Sequence, residues 1–160
     1  MIRDATFGDM PRIRDLFYQM HEVSVYAEEI GIDEPALRSL IMDCVRGNGG
    51  KHAGGTIFLV SEEDGVIQGF MIGMLDRIYH YGNRLRATDF FLYCTPEAQT
   101  RASSKMIDRF IAWAVENPKV FEIILSWTDA ISEDAQKIER LYLRKGFRNC
   151  GGIWMRRTGN

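Results

Sequence analysis

The chain has 160 residues, 46% of them hydrophobic, which suits one compact domain with its own core. A net charge of -2 and a sequence pI of about 5.9 give no basic footprint, so we expect no nucleic-acid partner. The three cysteines are scattered and odd in number, which fits reduced thiols better than a disulfide framework, and they show no ligand spacing with the histidines, which predicts no metal site. No apolar run reaches the roughly 18 residues of a membrane span, so we expect a cytoplasmic protein without a membrane partner.

The N-terminal third predicts one short strand and two helices. Residues 2–5 form the strand, and Thr6 with Asp9 resembles a capping box at the start of the first helix. That helix continues to about residue 24, because apolar residues recur there at helical spacing: Ile13, Leu16, Phe17 and Met20. A second helix begins at Asp33 and ends before the glycines that follow residue 46.

The rest of the chain alternates strands and helices. Residues 56–76 form a hairpin around Asp64-Gly65, and residues 86–94 form a strand that is apolar from Phe90 onward. A helix from about Ser104 to residue 117 precedes a strand at 120–127. A last helix starts near Ser132 and is closed by Gly146. Residues 147–157 predict a closing strand pair, so residues 1–160 form a single α/β domain.

The segment "CTPEAQTRASSKMIDRFIAWA" leads from a buried strand through a polar loop into a helix. The backbone amides at a helix N-terminus can bind phosphate groups. Phosphate loops usually carry glycine because a Cβ blocks close approach of the backbone, and this loop has alanine and serine instead. The residues of the loop by themselves favour a capped helix N-terminus over an anion site.

Four segments together resemble the GNAT superfamily of acyl-CoA-dependent N-acyltransferases. They are "IRDATFGDMPRIRDLF", "FLVSEEDGVIQGFMIG", "FFLYCTPEAQTRASSKMIDRFIAWA" and "IERLYLRKGF", in the order and spacing of that family. The resemblance implies a mixed, mostly antiparallel sheet of about six to seven strands, flanked by about four helices. Because the loop lacks glycines, the chain looks most like the glycine-poor members found in phages and prophages.

The resemblance implies acetyl-CoA as co-substrate and assigns residues to it. The family loop reads Gln/Arg-x-x-Gly-x-Gly/Ala, and here Ala102 and Ser104 stand where glycine is usual. The loop residues implied to hold the pyrophosphate are Gln99, Thr100, Arg101, Ala102, Ser103 and Ser104. The main chain of Leu92, Tyr93 and Cys94 is implied to run along the pantetheine like an added strand. Ala135 replaces an asparagine that contacts the cofactor in many members.

The resemblance also implies catalytic and acceptor residues. Tyr142 matches the tyrosine that protonates the departing thiolate, and the alternative is a core aromatic residue. Asp89 is the candidate general base, with a structural aspartate at a strand edge as the alternative. His80 is a second candidate for the base and for acceptor contact. Tyr26 and Glu28, with Glu29, fall where the family binds the acceptor, although a solvated helix end explains these carboxylates equally well.

These residues predict an N-acetyltransferase in which a small-molecule or protein amine attacks the thioester directly. A catalytically inactive binding or structural protein with the same fold is the alternative, favoured by the missing glycines. Many similar proteins form homodimers, and the sequence leaves the oligomeric state open.

Overall fold

The computed structural model describes residues 1–127 and 135–158. These ranges contain four α-helices: α1 (Met10–Glu22), α2 (Glu34–Arg46), α3 (Gln99–Val115) and α4 (Ala135–Arg144). They also contain five strands: β1 (Ile2–Asp4), β2 (Thr56–Glu63), β3 (Val66–Arg77), β4 (Leu85–Cys94) and β5 (Val120–Ile124). No helix in these ranges is long and apolar enough to cross a membrane. The predicted start of the last helix at Ser132 lies outside the described residues.

The strands form one sheet in the order β1-β2-β3-β4-β5. The first four strands pair antiparallel with their neighbours, and β4 pairs parallel with β5. The predicted mixed, mostly antiparallel sheet with about four helices is therefore confirmed. The predicted strand count of six to seven is wrong, since five strands are present in the described part of the chain.

The difference arises in the C-terminal tail, residues 147–158, where a closing strand pair was predicted. The tail contains no strand in the structure. Adjacent glycines at 151 and 152 weaken a strand because they lose much backbone entropy and have no side chains to pack. The tail instead contacts the turn between α1 and α2 through Met155 and Arg157.

The predicted ends of the first two helices are close to the observed ones. The Thr6 amide donates to Asp9 Oδ2 at 2.8 Å, which forms the predicted capping box in a short 3-10 turn that leads into α1. Asp33 caps α2 by accepting a hydrogen bond from the Ala36 amide at 3.0 Å. The α2 helix ends just before Gly47, as predicted.

The predicted hairpin turn between β2 and β3 is confirmed. Asp64 and Gly65 both have positive φ angles, 50° and 77°, which a two-residue hairpin turn of type I′ requires.

Gly73 of β3 lies where helix α3 packs on the sheet. A Cβ at this position would lie 2.3 Å from the Phe110 ring, so glycine allows α3 to pack closely on the sheet.

Helix α3 begins five residues before the predicted start at Ser104. The Ala102 amide donates to the Ala98 carbonyl at 3.2 Å, which makes the predicted loop the first turns of the helix. The reason lies in the residues 99–104, which include neither glycine nor proline and are all compatible with a helix. The replacement of the loop glycines therefore lengthens α3.

The sheet separates two hydrophobic cores. On one face α1 and α2 pack on β2, β3 and the end of β4, with Phe17, Phe58 and Phe70 buried between them. On the other face α3 buries Met106, Ile107 and Phe110, and Leu141 and Tyr142 of α4 pack at the border of this core. Helices therefore cover both faces of the sheet. The strands β4 and β5 lie at the end of the strand order opposite β1.

Candidate active site

A bulge interrupts β4 at its centre. Ile72 of β3 pairs with Phe91 and the next residue, Gly73, pairs with Asp89, which leaves Phe90 without a partner in the ladder. Phe90 is 44% exposed, although an unbroken buried strand was predicted from this residue. A bulge bends a strand and redirects its side chains, and such features occur next to active sites.

Directly before the bulge, β4 and β5 diverge. Their parallel pairing ends at Thr88 and Ile124. The Asp89 carboxylate then bridges the widening gap, because its Oδ1 accepts hydrogen bonds from the Ser126 amide at 2.8 Å and the Ser126 hydroxyl at 3.0 Å. Asp89 therefore lies at the base of a gap between the two strands.

Tyr142 reaches the same point from α4. Its hydroxyl donates to the Ser126 carbonyl oxygen at 3.0 Å, and its ring packs 6.1 Å from the ring of Phe147. Asp89 and Tyr142, which are 53 positions apart in the sequence, thus share one partner residue. The two predicted catalytic residues are brought together by the tertiary structure.

The environment shifts the protonation of both groups. Burial raises the pKa of Asp89, and the hydrogen bonds from Ser126 oppose this shift. Burial also raises the pKa of Tyr142, and the negative charge of Asp89 raises it further. The phenol is therefore protonated at neutral pH, and the carboxylate is a stronger base than an exposed aspartate.

Within residues 1–127 and 135–158, no strand pairs with one edge of β4 beyond the bulge, which we call the free edge. Residues 92–94 pair with residues 69–71 of β3 on one side, and on the other side β5 has already moved away. Such an edge can receive an extended ligand through main-chain hydrogen bonds. Cys94 is buried, and burial raises the pKa of its thiol, so a nucleophilic thiolate is disfavoured at this position.

The N-terminus of α3 lies at the end of this free edge. The first three amides of a helix, here those of residues 99–101, have no acceptor within it. From Ala102 onward the amides take part in the helical hydrogen bonds, so the predicted cradle is shorter than the segment 99–104. Ala102 is buried against the core, and Ser103 Oγ lies 3.4 Å from Cys94 Sγ, which connects α3 to β4.

Both α3 and α4 carry positive side chains. Arg101 and Lys105 are exposed one turn apart on α3. Lys137, Arg140 and Arg144 of α4, with Leu143, line a surface cavity of about 480 Å³. These cations give the α3–α4 layer a local charge opposite to that of a phosphorylated ligand.

The predicted acceptor residues lie in two places. Tyr26, Glu28 and Glu29 belong to the turn that follows α1, and this turn contacts the C-terminal tail. His80 lies in the connection between β3 and β4, where it is 87% exposed and pairs with Asp76 at 2.9 Å. That connection precedes β4, whereas the gap begins near the centre of the strand and widens towards its other end. The structure therefore does not bring His80 to Asp89 and Tyr142.

Sequence reasoning missed Ser126. It is exposed two residues beyond the end of β5, and it joins Asp89 to Tyr142 through its amide, hydroxyl and carbonyl groups. The available signal was a polar residue directly after the apolar run of a strand. That pattern is too common to single out a residue without the fold.

Comparisons with known proteins find similarity in structure but none in sequence families. No protein-family model and no curated protein matches the chain. A predicted acetyltransferase with acetyl-CoA from Clostridium acetobutylicum has a TM-score of 0.69 at 16% identity, covering 98% of this chain and 95% of that one. A ribosomal-protein-alanine N-acetyltransferase from Brucella melitensis has a TM-score of 0.67 at 17% identity, covering 98% and 99%. An aminoglycoside acetyltransferase from a soil metagenome, in complex with sisomicin, has a TM-score of 0.67 at 13% identity, covering 99% and 96%.

The chain has the GNAT fold. The resemblance read from the sequence is confirmed at the level of the GNAT fold, and each comparison covers nearly the whole length of both chains. Identities of 13–17% show a shared fold and leave the chemistry to be argued from the residues of this chain.

Proposed function

We propose that the chain is an N-acetyltransferase that moves the acetyl group of acetyl-CoA to a primary amine. The observation that carries this proposal is the convergence of Asp89 and Tyr142 on Ser126, at the point where β4 and β5 diverge. A raised-pKa carboxylate beside a neutral phenol supplies a proton acceptor and a proton donor for one reaction. The similar acetyltransferase structures support the proposal through their shared fold.

The residues around the gap fit acetyl-CoA. The free edge of residues 92–94 offers main-chain hydrogen bonds to an extended pantetheine, and the first amides of α3 suit a diphosphate. The small side chain of Ala102 is buried, so it does not project into the space before the helix. Acetyl-CoA would supply an activated acetyl group and a thiol leaving group.

Asp89 and Tyr142 handle the protons of the transfer. Asp89 takes one proton from the acceptor ammonium, directly or through a water molecule, so that the nitrogen can attack the thioester carbonyl carbon. As the carbon–sulfur bond breaks, Tyr142 donates its hydroxyl proton to the sulfur and recovers a proton from the acylated nitrogen. Asp89 then releases its proton to solvent, so one turnover releases one proton and one thiol.

The electrostatic interaction between the two residues orders these steps. While Asp89 is ionised, its charge contributes to the raised pKa of Tyr142 and keeps the phenol protonated. Once Asp89 has taken the proton of the acceptor, that contribution disappears and Tyr142 becomes a stronger acid. The tyrosine is thus a better proton donor after the amine has been deprotonated.

The acceptor side of the proposal rests on the turn after α1. Tyr26, Glu28 and Glu29 would form a wall that attracts a cationic amine, since carboxylates lower the energy of a nearby ammonium group. What supports this assignment is the packing of α1 on β4, where the rings of Phe17 and Phe91 lie 5.2 Å apart.

A catalytically inactive binding protein is the second candidate. The observation that favours it is the start of α3 at Gln99, which leaves a short set of free amides in a segment without glycine. This candidate predicts that ligand binding is retained and that no thiol is released with any amine.

Thermal unfolding with acetyl-CoA tests the proposal first. A ligand that binds only the folded state at one hundred times its Kd stabilises by about 2.7 kcal/mol, which raises the Tm of a domain of this size by several degrees. No change in Tm at millimolar acetyl-CoA would contradict the proposed function. A rise in Tm without thiol release across a panel of primary amines would support the inactive candidate instead.

Three finer features stay predictions from the sequence: a cytoplasmic location, a place among the phage-type members and a homodimer. Sedimentation equilibrium of the full chain would decide the oligomeric state, because the mass of a dimer is twice the 18.4 kDa of the chain.

A further inference from the structure

The C-terminal tail links the candidate proton donor to the turn after α1. It starts at Phe147, whose amide donates to the Tyr142 carbonyl at 3.1 Å. Near its other end, the Tyr26 hydroxyl donates to Met155 Sδ at 3.9 Å, and the Arg157 guanidinium pairs with the Glu29 carboxylate. The nine residues from 147 to 155, joined by eight Cα–Cα intervals, span at most about 28 Å when extended, which limits how far the turn can lie from Tyr142.

The turn also lies at the end of the sheet where β4 and β5 diverge. Tyr93 is next to the last residue of β4, and it belongs to the same buried cluster as Phe17 and Met20 of α1. Met20 lies in the last turn of α1, which ends at Glu22, so the end of α1 lies beside the end of β4. The turn that carries Glu29 follows α1 directly and therefore stands at this opening.

The turn and the tail carry opposite charges. Residues 22–34 contain five carboxylates and no lysine or arginine: Glu22, Glu28, Glu29, Asp33 and Glu34. Residues 147–158 contain three arginines and no carboxylate side chain: Arg148, Arg156 and Arg157. The ion pair between Arg157 and Glu29 is thus one contact between the basic tail and the acidic turn.

The Arg157–Glu29 pair can be exchanged easily. The side chains are 48% and 61% exposed, so water and salt screen the attraction and separation leaves neither charge buried. A cationic group from solution can therefore replace the guanidinium at small cost. A buried pair would resist such replacement, because one charge would stay behind without a partner.

We propose that Glu29 forms an anionic subsite for a second positive charge of the acceptor, and that Arg157 occupies this subsite until the acceptor binds. The inference rests on the proposed function and names its substrate class as a primary amine that carries another ammonium or guanidinium group. Arg157 acts as an internal competitor, so the chain selects dications that outcompete its own tail.

A matched pair of amines tests the subsite. The diamine 1,5-diaminopentane and the monoamine pentylamine share a five-carbon chain and differ in the second amino group, which carries the second charge. We expect Arg157→Gln to lower the KM for the diamine by about two- to fivefold, the range of an exposed ion pair, and to leave the KM for pentylamine unchanged. Arg156→Gln removes the same charge one position away and is expected to change neither KM.

Glu29→Gln gives the converse result. We expect it to raise the KM for the diamine towards that for pentylamine, because the subsite then lacks the Glu29 carboxylate. If Arg157→Gln lowers both KM values equally, the tail only obstructs access and the subsite is refuted. If neither KM changes, the contact between Arg157 and Glu29 has no part in acceptor binding.

A binding measurement separates this inference from the proposed function. Methyl NMR of 13C-labelled methionine reports Met155, whose signal is assigned by Met155→Leu and which lies beside the Tyr26 hydroxyl. We expect the diamine to shift this signal in the wild type towards its position in Arg157→Gln, and pentylamine to leave it in place. A shift without acetylation would refute the enzyme and keep the subsite. Acetylation of both amines with an unmoved signal would refute the subsite and keep the enzyme.

Discussion

Removal of one oxygen atom, by Tyr142→Phe, tests the assigned proton donor. The hydroxyl makes one hydrogen bond of 3.0 Å to the Ser126 carbonyl, and the ring keeps its contact with Phe147 in the variant. A neutral hydrogen bond contributes about 1 kcal/mol to folding. We therefore expect the Tm to fall by about 3 °C for a domain of this size.

The expected loss of activity is much larger. General acid catalysis contributes about a hundred- to ten-thousandfold in rate, which equals about 3–5 kcal/mol in the activation free energy. We expect kcat to fall within this range while the Kd for acetyl-CoA stays unchanged, because the hydroxyl acts on the leaving sulfur and not on the bound phosphates. Thiol release gives kcat, and calorimetry gives the Kd.

Tyr18→Phe is the matched control. Its hydroxyl donates to Glu34 at 2.5 Å on the outer surface of α1 and α2, so the variant also loses one tyrosine hydrogen bond. We expect its kcat to equal that of the wild type. A kcat for Tyr142→Phe within about threefold of the wild type would refute the acid role, because the loss of one structural hydrogen bond explains a change of that size.

Three further predictions follow from named contacts. Because burial raises the pKa of Asp89, kcat/KM should rise with pH through a pKa above the ordinary carboxyl value of about 4. Asp89→Asn should be slow, and its pH profile should lack this rise. Arg101→Glu at the start of α3 should weaken acetyl-CoA binding about tenfold, as measured by calorimetry. Arg109→Glu, two turns further along α3, is the control and should leave the binding unchanged. Equal effects of the two variants would argue against the helix N-terminus as the phosphate site. The Asp9 carboxylate accepts a hydrogen bond from Arg3, which holds its pKa at about 2. The contribution of this ion pair to folding stability is therefore complete above about pH 4 and is lost as the pH falls through 2. Asp9→Asn should cost about 2 kcal/mol in urea unfolding at pH 7, and a cost that does not shrink towards pH 2 would contradict the ion pair.

Local patterns in the sequence were sufficient for most elements of the fold. The capping residue Asp33, the Asp64-Gly65 turn and the apolar spacing in α1 act within a few residues, so their structural effects do not depend on the rest of the chain. The start of α3 was missed because the family pattern, with its glycines, was carried onto a loop whose own residues continue the helix.

The candidate site shows the limit of such reasoning. The sequence determined that Tyr142 lies on an amphipathic helix and that Asp89 lies near the start of an apolar strand. Only the tertiary structure brought them to Ser126, because the bulge at Phe90 and the divergence of β4 from β5 depend on strand register. The position of the C-terminal tail was also decided in three dimensions. Its strand-like residues had a local preference, but a strand needs a partner, and the tail found its contacts at Tyr26 and Glu29 instead.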